Sequence, residues 1–575
     1  MKKLCVLLLC LACTAPASAA SIHIDAIHPA SIPGEWTVVV SGAKPEALTF
    51  LADGTAVKVE AAEAAGTEGD ATRVRLTGVP AGAGRIEVAP RGKEKDGAAA
   101  AVRIGPRDAR MAALSDLTIY HIMVDMFADG NAGNNGEITG WKHPNYAGGD
   151  LQGILAHAGY IQDLGMNAVW LSPIFAARSS HGYDVTNYYQ VGGAVAVPND
   201  PKASLDLFQK LVADLHQRGI RVILDIPLNH ASASYQRDSG DPDQLHPRAT
   251  GPKQEAEKLW ESWGAGYRYW DFSHAPTRRF LENVALHWLR DENVDGLRLD
   301  YVRGVPHDFW ADLYGEVKKA KPGAFLVGEA WTDAQGPDVN AKDIATYYAK
   351  VDGRPQFDSL LEFPFQKVMT EVFAQGEPAR NLESCLQTDE AVYGPDAFPT
   401  YFLDNHDMSR FMAWTDKPDR LVAAVGFMAS LSSPVVLFYG TETGLANGDP
   451  KTGFTDAGRI PMPWQKLDTA LTGRIHAILQ ARKEHPALTR GGRLPLLADK
   501  DVLVQAKVAP EETVLVGVNL SSTPREVEID TAGLLPAGAK LTPLLGSPAG
   551  TIGENGHLKW QLPAMATVML AAPRN

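Results

Sequence analysis

Between about residues 114 and 489, short apolar runs alternate with longer stretches whose apolar residues recur every three or four positions. The runs 119–124, 168–171, 222–225, 296–300, 326–329, 401–403 and 434–439 are short and rich in β-branched and aromatic residues, so they read as buried strands. Between them, 205–218 and 277–289 carry the apolar stripe of an amphipathic helix. Strand and helix in strict alternation predict an α/β fold in which a parallel sheet closes into a (β/α)8 TIM barrel. One connection, 231–275, is too long for a plain loop and is expected to form an inserted subdomain after the third strand.

The flanks follow a different period. Residues 21–107 alternate apolar and polar positions between Gly- and Pro-rich turns, with 36–40 and 72–76 as strand runs, which predicts an N-terminal β-sandwich. The Ala/Glu/Gly stretch at 61–71 is expected to be a solvated loop. From 490 to 575 the helical period is gone, and 502–507, 513–519 and 566–571 suggest a C-terminal antiparallel β-domain. The barrel then occupies 108–489. Residues 1–20 read as a signal peptide: Lys2 and Lys3, an apolar run over 4–13, then Ala17, Ser18 and Ala19. That run is too short to span a bilayer, so the expectation is an exported protein, periplasmic or extracellular.

Composition narrows the partners. The net charge is −14, from 54 Lys+Arg and 68 Asp+Glu, and a negative field repels phosphate backbones. Nucleic acid is therefore excluded, whereas a neutral polysaccharide is indifferent to the field. Three of the four cysteines lie in the leader, leaving only Cys385, which is expected as a buried apolar filler. The 21–107 segment holds only Trp36 and Phe50 as aromatic residues, too few for a carbohydrate-binding platform. Packing, or a homodimer through this domain, is its expected role.

Four acidic blocks carry the candidate chemistry: DIPLNH at 225–230, GLRLD at 296–300, FLVGE at 325–329 and FLDNHD at 402–407. Each puts a carboxylate at or just past the C-terminal end of a barrel strand, where loops gather and catalysis takes place. Converging carboxylates suit glycosidic cleavage, with one acid to protonate the leaving oxygen and one carboxylate opposite; in retaining enzymes these stand about 5–5.5 Å apart. Asp300 and Glu329 end consecutive strands. Arg298, two residues before Asp300, points to the same side and is expected to hold Asp300 ionised with a low pKa. Glu329 must stay protonated, which calls for a less polar surrounding and a repelling charge such as Asp407.

Together with Gly182-Tyr183-Asp184 and RIPMPW at 459–464, these blocks resemble, in order, the signature regions of the α-amylase superfamily of glycoside hydrolases. The match spans residues from about 116 to 465 and looks most similar to the neopullulanase, cyclomaltodextrinase and α-amylase branch. The resemblance implies Asp300 as nucleophile, Glu329 as acid/base and Asp407 as transition-state stabiliser. It implies that His230, Arg298 and His406 hold the sugar, that Tyr183 stacks on its face, and that Asp184 supports the site.

A second cluster, DGNAGNN at 129–135 followed by GGD at 148–150, offers hard oxygen ligands on a Gly-rich loop, which suits Ca2+. Similarity to calcium loops of that branch implies Asp129, Asn131, Asn134, Asn135, the Gly148 carbonyl and Asp150 as ligands of a structural ion. A turn capped by its own Asn and Asp side chains is the alternative. The insertion carries Trp260, Trp263, Tyr267, Tyr269 and Trp270, some expected in its core and one or two along sugar subsites.

One departure concerns the leaving-group side. After Asp300 the chain reads Tyr301-Val302-Arg303-Gly304, whereas many α-amylases have Lys-His, and the cyclomaltodextrinase branch Asn-Glu, at the last two positions. Gly304 is expected to open that side and Arg303 to hydrogen-bond an acceptor sugar. The resulting expectation is a retaining α-glucan hydrolase acting on α-1,4 bonds of maltodextrins, with cyclodextrins and pullulan as further candidates. A transglycosylase with the same triad is the alternative, and a non-catalytic glucan-binding protein a more distant one.

Overall fold

In the computed structural model, the described residues are 22–30, 32–65, 71–106, 109–136, 138, 140–235, 267–331, 337–447, 457–546 and 550–574. The leader expected at 1–20, and Trp260 and Trp263 of the insertion, lie outside them. Eight parallel strands close a barrel: β1 (Thr118–Ile122), β2 (Ala168–Leu171), β3 (Arg221–Ile226), β4 (Gly296–Leu299), β5 (Phe325–Gly328), β6 (Ser359–Leu361), β7 (Pro399–Phe402) and β8 (Val435–Phe438). Each pairs with its successor, and β8 closes the ring on β1.

Seven of these strands coincide with the apolar runs, to within a residue or two at most ends. The sixth was not anticipated. Ser-Leu-Leu is three residues long and shows no period; it is a strand because Leu360 pairs with Gly328 on one side and Pro399 on the other. Alternate barrel residues point inward, so Ile119, Trp170, Ile223, Phe325, Val327, Phe402 and Val436 form one interior cluster. Their neighbours face the helices. The helix Pro201–Gln217 begins at a Pro in its first turn, with the Asp200 carboxylate accepting from the Ala203 N–H at 2.9 Å, and buries Phe208, Leu211, Val212 and Leu215. Each such side chain, fully buried, contributes about 1.5–3 kcal/mol.

The N-terminal segment forms two four-stranded antiparallel sheets, and the C-terminal segment a six-stranded and a two-stranded sheet. They share a core: Ile24, Phe50 and Val88 pack in one cluster with Val502, Leu515, Trp560 and Leu570. Gln387, on the barrel helix Arg380–Tyr393, completes the docking. Its Nε2 donates to the Ile24 carbonyl at 2.6 Å and its Oε1 accepts from the Ile24 N–H at 2.8 Å. Arg103 pairs with Glu390 of the same helix at 3.0 Å.

One further expectation changes. Residues 61–64 are not loop: Lys58–Ala64 is an exposed edge strand, antiparallel to Thr72–Thr77, whose Ala and Glu residues hide any alternation. Of the two N-terminal aromatics, Phe50 is buried and Trp36 is half-buried against the shared core, so neither is a platform. Cys385 is buried, its Sγ donating to Asp389 Oδ2 at 3.3 Å. Among the described residues no helix is long and apolar enough to cross a membrane.

Candidate active site

At the C-terminal ends of β3, β4 and β5 one guanidinium gathers three carboxylates. Arg298 Nη1 lies 2.8 and 2.9 Å from the two Asp225 oxygens and 2.7 Å from Asp300 Oδ1, and Nη2 lies 2.6 Å from Glu329 Oε1. Asp300 and Glu329 therefore face each other across neighbouring atoms of one rigid fork. Backbone bonds fix both: the Asp300 N–H donates to the Ile226 carbonyl at 3.2 Å and the Glu329 N–H to the Leu299 carbonyl at 3.0 Å. Tyr301 follows in a left-handed conformation (φ 38°), strained for a residue with a side chain. That turn aims its N–H at Glu329 Oε2, 3.0 Å away, while Asn229 Nδ2 holds its carbonyl at 2.7 Å.

Asp407 joins from the loop after β7. Its Oδ1 accepts from Arg459 Nη2 at 2.7 Å and its Oδ2 lies 3.0 Å from His406 Nε2. Tyr183 links the two halves: its hydroxyl donates to Asp225 Oδ2 at 2.8 Å and stands 2.8 Å from His406 Nε2. The Tyr183 and His406 rings are parallel within 6° at 5.3 Å. Gly182 makes this approach possible, since at φ 82° a Cβ would stand 2.3 Å from the Pro173 carbonyl oxygen. His230 Nε2 donates to the Tyr183 carbonyl at 3.0 Å.

Burial and crowding set the protonation. Burial raises Glu329 to about 7, with Arg298 opposing and Asp407 repelling in support. This is the condition expected for Glu329. For Asp300 the expectation of a low pKa is corrected: burial pushes it well above the usual carboxylate range against the pull of Arg298, and Glu329, Asp225 and Asp407 add repulsion. The reason is burial, which one guanidinium divided among three carboxylates does not offset. The cluster thus holds a proton as a unit near neutrality. Burial lowers His230 to about 3 and His406 well below its usual range, with Arg459 and Arg298 adding to the latter. Both are neutral hydrogen-bonding groups.

Seven of the expected residues, Tyr183, His230, Arg298, Asp300, Glu329, His406 and Asp407, meet in this cluster. Asp184 stands one step back, its Oδ1 accepting from the Ser179 N–H at 3.0 Å and from the Ser179 hydroxyl, so it braces the 179–184 turn. Arg303 is at the rim, its Nε 3.0 Å from Asp343 Oδ2. Of the insertion aromatics described, Trp270 is core, while Tyr267 stands edge-on to His230 at 4.9 Å. Asp225, the carboxylate of the first acidic block, was given no role in the site, and neither were Asn229, Trp170 and Arg459. Asp225, Asn229 and Arg459 sat inside the quoted blocks, but Trp170, whose Nε1 donates to Asp225 at 2.9 Å, reads in sequence as ordinary strand core.

The 129–150 loop brings oxygens together. Asp150 accepts from the Gly130 and Gly153 N–H groups at 3.1 and 2.7 Å and from Asn134 Nδ2 at 2.9 Å. Asn135 Nδ2 donates to Asp129 Oδ2 at 2.9 Å, and Asn131 Oδ1 accepts from the Gly133 N–H at 3.1 Å, as a self-capped turn would have it. Two observations fit a cation besides. Asn134 is fully buried and its Oδ1 has no hydrogen-bond donor among the described residues. Burial together with Asp125, Asp129 and Asp150 pushes Tyr146 up to about 12, so negative charge concentrates there. Gly148 (φ 72°) runs against Asp129 and Asn135 so closely that a Cβ would stand 2.6–2.7 Å from their side chains. Among the described residues no group of three or more His, Cys, Asp or Glu is set to hold a metal, so the donors would be largely amide and backbone oxygens, the hard set that Ca2+ takes.

Comparison with known proteins bears on this site. The family model described as the catalytic domain of alpha amylase matches residues 121–266 and 269–484. A cyclomaltodextrinase from a Bacillus species is 29% identical over 440 residues, covering 71% of this chain and 73% of that protein. Alpha-amylase 2 of Dictyoglomus thermophilum is 28% identical over 421 residues, covering 70% and 69%. A solved cyclomaltodextrinase structure superposes with a TM-score of 0.69 over 95% of this chain and 99% of its own, at 21% identity, a likeness of fold that takes in most of the chain.

Proposed function

The chain belongs to the α-amylase family of glycoside hydrolases, and from that membership we propose that it is a retaining α-glucan hydrolase acting on α-1,4 bonds of maltodextrins and cyclodextrins. The observation that carries the reading is the pair Asp300 and Glu329 held on one guanidinium, with Asp407 joined to them through Tyr183 and His406. In the first step Glu329 gives its proton to the glycosidic oxygen while Asp300 attacks the anomeric carbon, breaking the bond to the leaving sugar and forming a glycosyl ester. In the second, Glu329 takes a proton from water, which attacks the same carbon and frees Asp300. Arg298, 2.7 Å from Asp300, favours the charge on the nucleophile once the proton is on Glu329. Asp407 supplies negative charge toward the oxocarbenium-like transition state. The neutral His230 and His406, with Tyr183, suit the hydroxyl groups and face of an uncharged sugar.

The substrate class rests on the relatives named α-amylase and cyclomaltodextrinase. Arg303, braced by Asp343 beside Gly304, is assigned to the acceptor side. Chromatography of initial products tests the reading. We expect β-cyclodextrin to be opened to a linear oligosaccharide faster than soluble starch is cut. Faster attack on starch would move the enzyme to the α-amylases. Longer products built from maltotriose would favour the transglycosylase, and no cleavage of either substrate would end the proposal.

Calcium belongs to the same proposal as a structural ion held by Asp129, Asn134, Asn135, Asp150 and the Gly148 carbonyl, with Asn131 shaping the turn. Bound there, it would tie the loop after β1 to the segment that ends at Asp150. Chelation is then expected to lower the melting temperature by a few degrees, reversed by Ca2+ and not by Mg2+, because an ion that binds only the native state stabilises it by mass action. Superimposable melting curves with and without chelator would remove calcium from the account. Export, and self-association through the N-terminal domain, complete the proposal; the first is read by cell fractionation and the second by sedimentation.

A further inference from the structure

His121 stands on β1 with its side chain inside the barrel, fully buried. One face of its ring stacks on Trp170 at 3.7 Å and 8°, and the other on Phe438 at 4.8 Å and 29°. With both faces covered, the ring meets its remaining aromatic neighbour, His406, at a steep 79° and 5.0 Å. Neither nitrogen of His121 has a hydrogen-bond partner among the described residues. Stacking alone does not account for a histidine here. A phenylalanine would fill the same slot without burying two nitrogens at a cost in free energy.

The proton inventory of His406 supplies a reason. Its Nε2 lies 3.0 Å from Asp407 Oδ2, and 2.8 Å from a Tyr183 hydroxyl whose own hydrogen goes to Asp225. Both neighbours present acceptors, so Nε2 carries the hydrogen. The ring is neutral, because burial and the nearby Arg459 and Arg298 disfavour its cation. Nδ1 is then a lone pair, buried and without a donor among the described residues. His121 is also held neutral by burial and by His406, Arg298, Arg410 and Arg459, and so brings one N–H.

We propose that His121 is a positioning residue whose N–H faces His406, fixing the ring plane and the tautomer that leaves the proton on Nε2 between Asp407 and Tyr183. This rests on the reading of Asp407 as a group that acts in the transition state. It makes His121 a residue kept for function rather than for stability.

His121→Phe separates the roles. We expect it to leave the melting temperature within a few degrees of the wild type, since one unpaired nitrogen leaves the core while His406 Nδ1 loses the N–H that faces it. It should lower kcat on β-cyclodextrin by about tenfold or more with a much smaller change in KM, because most of the groups that hold the sugar are untouched while transition-state alignment is lost. His121→Asn and His121→Gln place an amide nitrogen near the Nδ1 and Nε2 positions, and one of them should restore most of kcat. An unchanged kcat in His121→Phe, or failure of both amides to restore activity, would overturn the proposal. A readout independent of turnover is the 15N shift pattern of the His406 ring, assigned by its loss in His406→Gln. It should show hydrogen on Nε2 in the wild type and a mixture of tautomers in His121→Phe; an unchanged pattern would also overturn the proposal. Were the wild type to cleave no glucan while this shift appeared, the functional reading would fail and the positioning of His406 would stand.

Discussion

Glu329→Gln and Asp300→Asn are each expected to lower kcat on maltodextrins by about four orders of magnitude or more while leaving the fold intact, the scale of a lost acid or nucleophile. Both changes are isosteric, and both leave Arg298 with two carboxylates, so little packing is disturbed. Their chemistry differs. Gln cannot protonate the leaving oxygen, but an aryl α-glycoside with an acidic phenol needs no such help. Such a substrate should recover a large part of the first step in Glu329→Gln and none in Asp300→Asn, which lacks the attacking oxygen anion. Near-wild-type turnover of maltodextrin in either variant would refute the assignment.

The same residue sets the alkaline limb. Glu329 must be protonated to act as acid and is raised to about 7, so kcat/KM should fall tenfold per pH unit above that value. Asp407 contributes to the rise by repulsion. In Asp407→Asn the residual activity should therefore lose its alkaline limb at a lower pH than the wild type. A limb that stayed in place would show that burial alone holds the proton on Glu329.

Arg298→Met carries the largest expected effect on stability. It removes the cation that touches Asp225, Asp300 and Glu329, all three of them buried. Breaking a buried pair by deleting one partner costs about 3–5 kcal/mol. The sign of the pH dependence follows. Without the guanidinium the folded-state pKa values of the carboxylates rise further, so the native state binds more protons than the unfolded chain. Stability then falls as pH rises from the unfolded carboxylate range toward the raised folded values, and the deficit is relieved in mild acid. Urea unfolding at pH 5.5 and pH 8 should give a larger loss, relative to wild type, at the higher pH. An equal loss at both would mean that Arg298 acts by packing alone.

How much of this was legible beforehand differs from residue to residue. Asp300 and Glu329 could be placed at one site because a carboxylate at the end of an apolar run has one destination in a parallel barrel. Asp407 entered as a repelling charge just past the run at 401–403, and its role as stabiliser, like that of His406 as a sugar-holding group, came from the resemblance to the α-amylase superfamily. Strand β6 escaped because three residues carry no period, and the edge strand at 58–64 because alanine and glutamate leave none to read. Trp170, and the role of Asp225, escaped for another reason. Their polar atoms face inward on strands whose neighbours are all apolar, and a local pattern does not say that four strands bring them to one guanidinium.

The sequence by itself determined the barrel, the flanking β-domains and which carboxylates end its strands, because these depend on periodicity and on where a run of buried residues ends. Only the tertiary structure decided how charge is shared among them. A guanidinium expected to keep one aspartate ionised instead serves three carboxylates, and its pull is outweighed by burial. Likewise only the fold brought His121 edge-on to His406 and Tyr267 beside His230, while leaving Arg303 braced at the rim. Spacing along a chain sets which face a side chain takes. Protonation depends on every charge and every missing water around it, and those arrive from strands hundreds of residues apart.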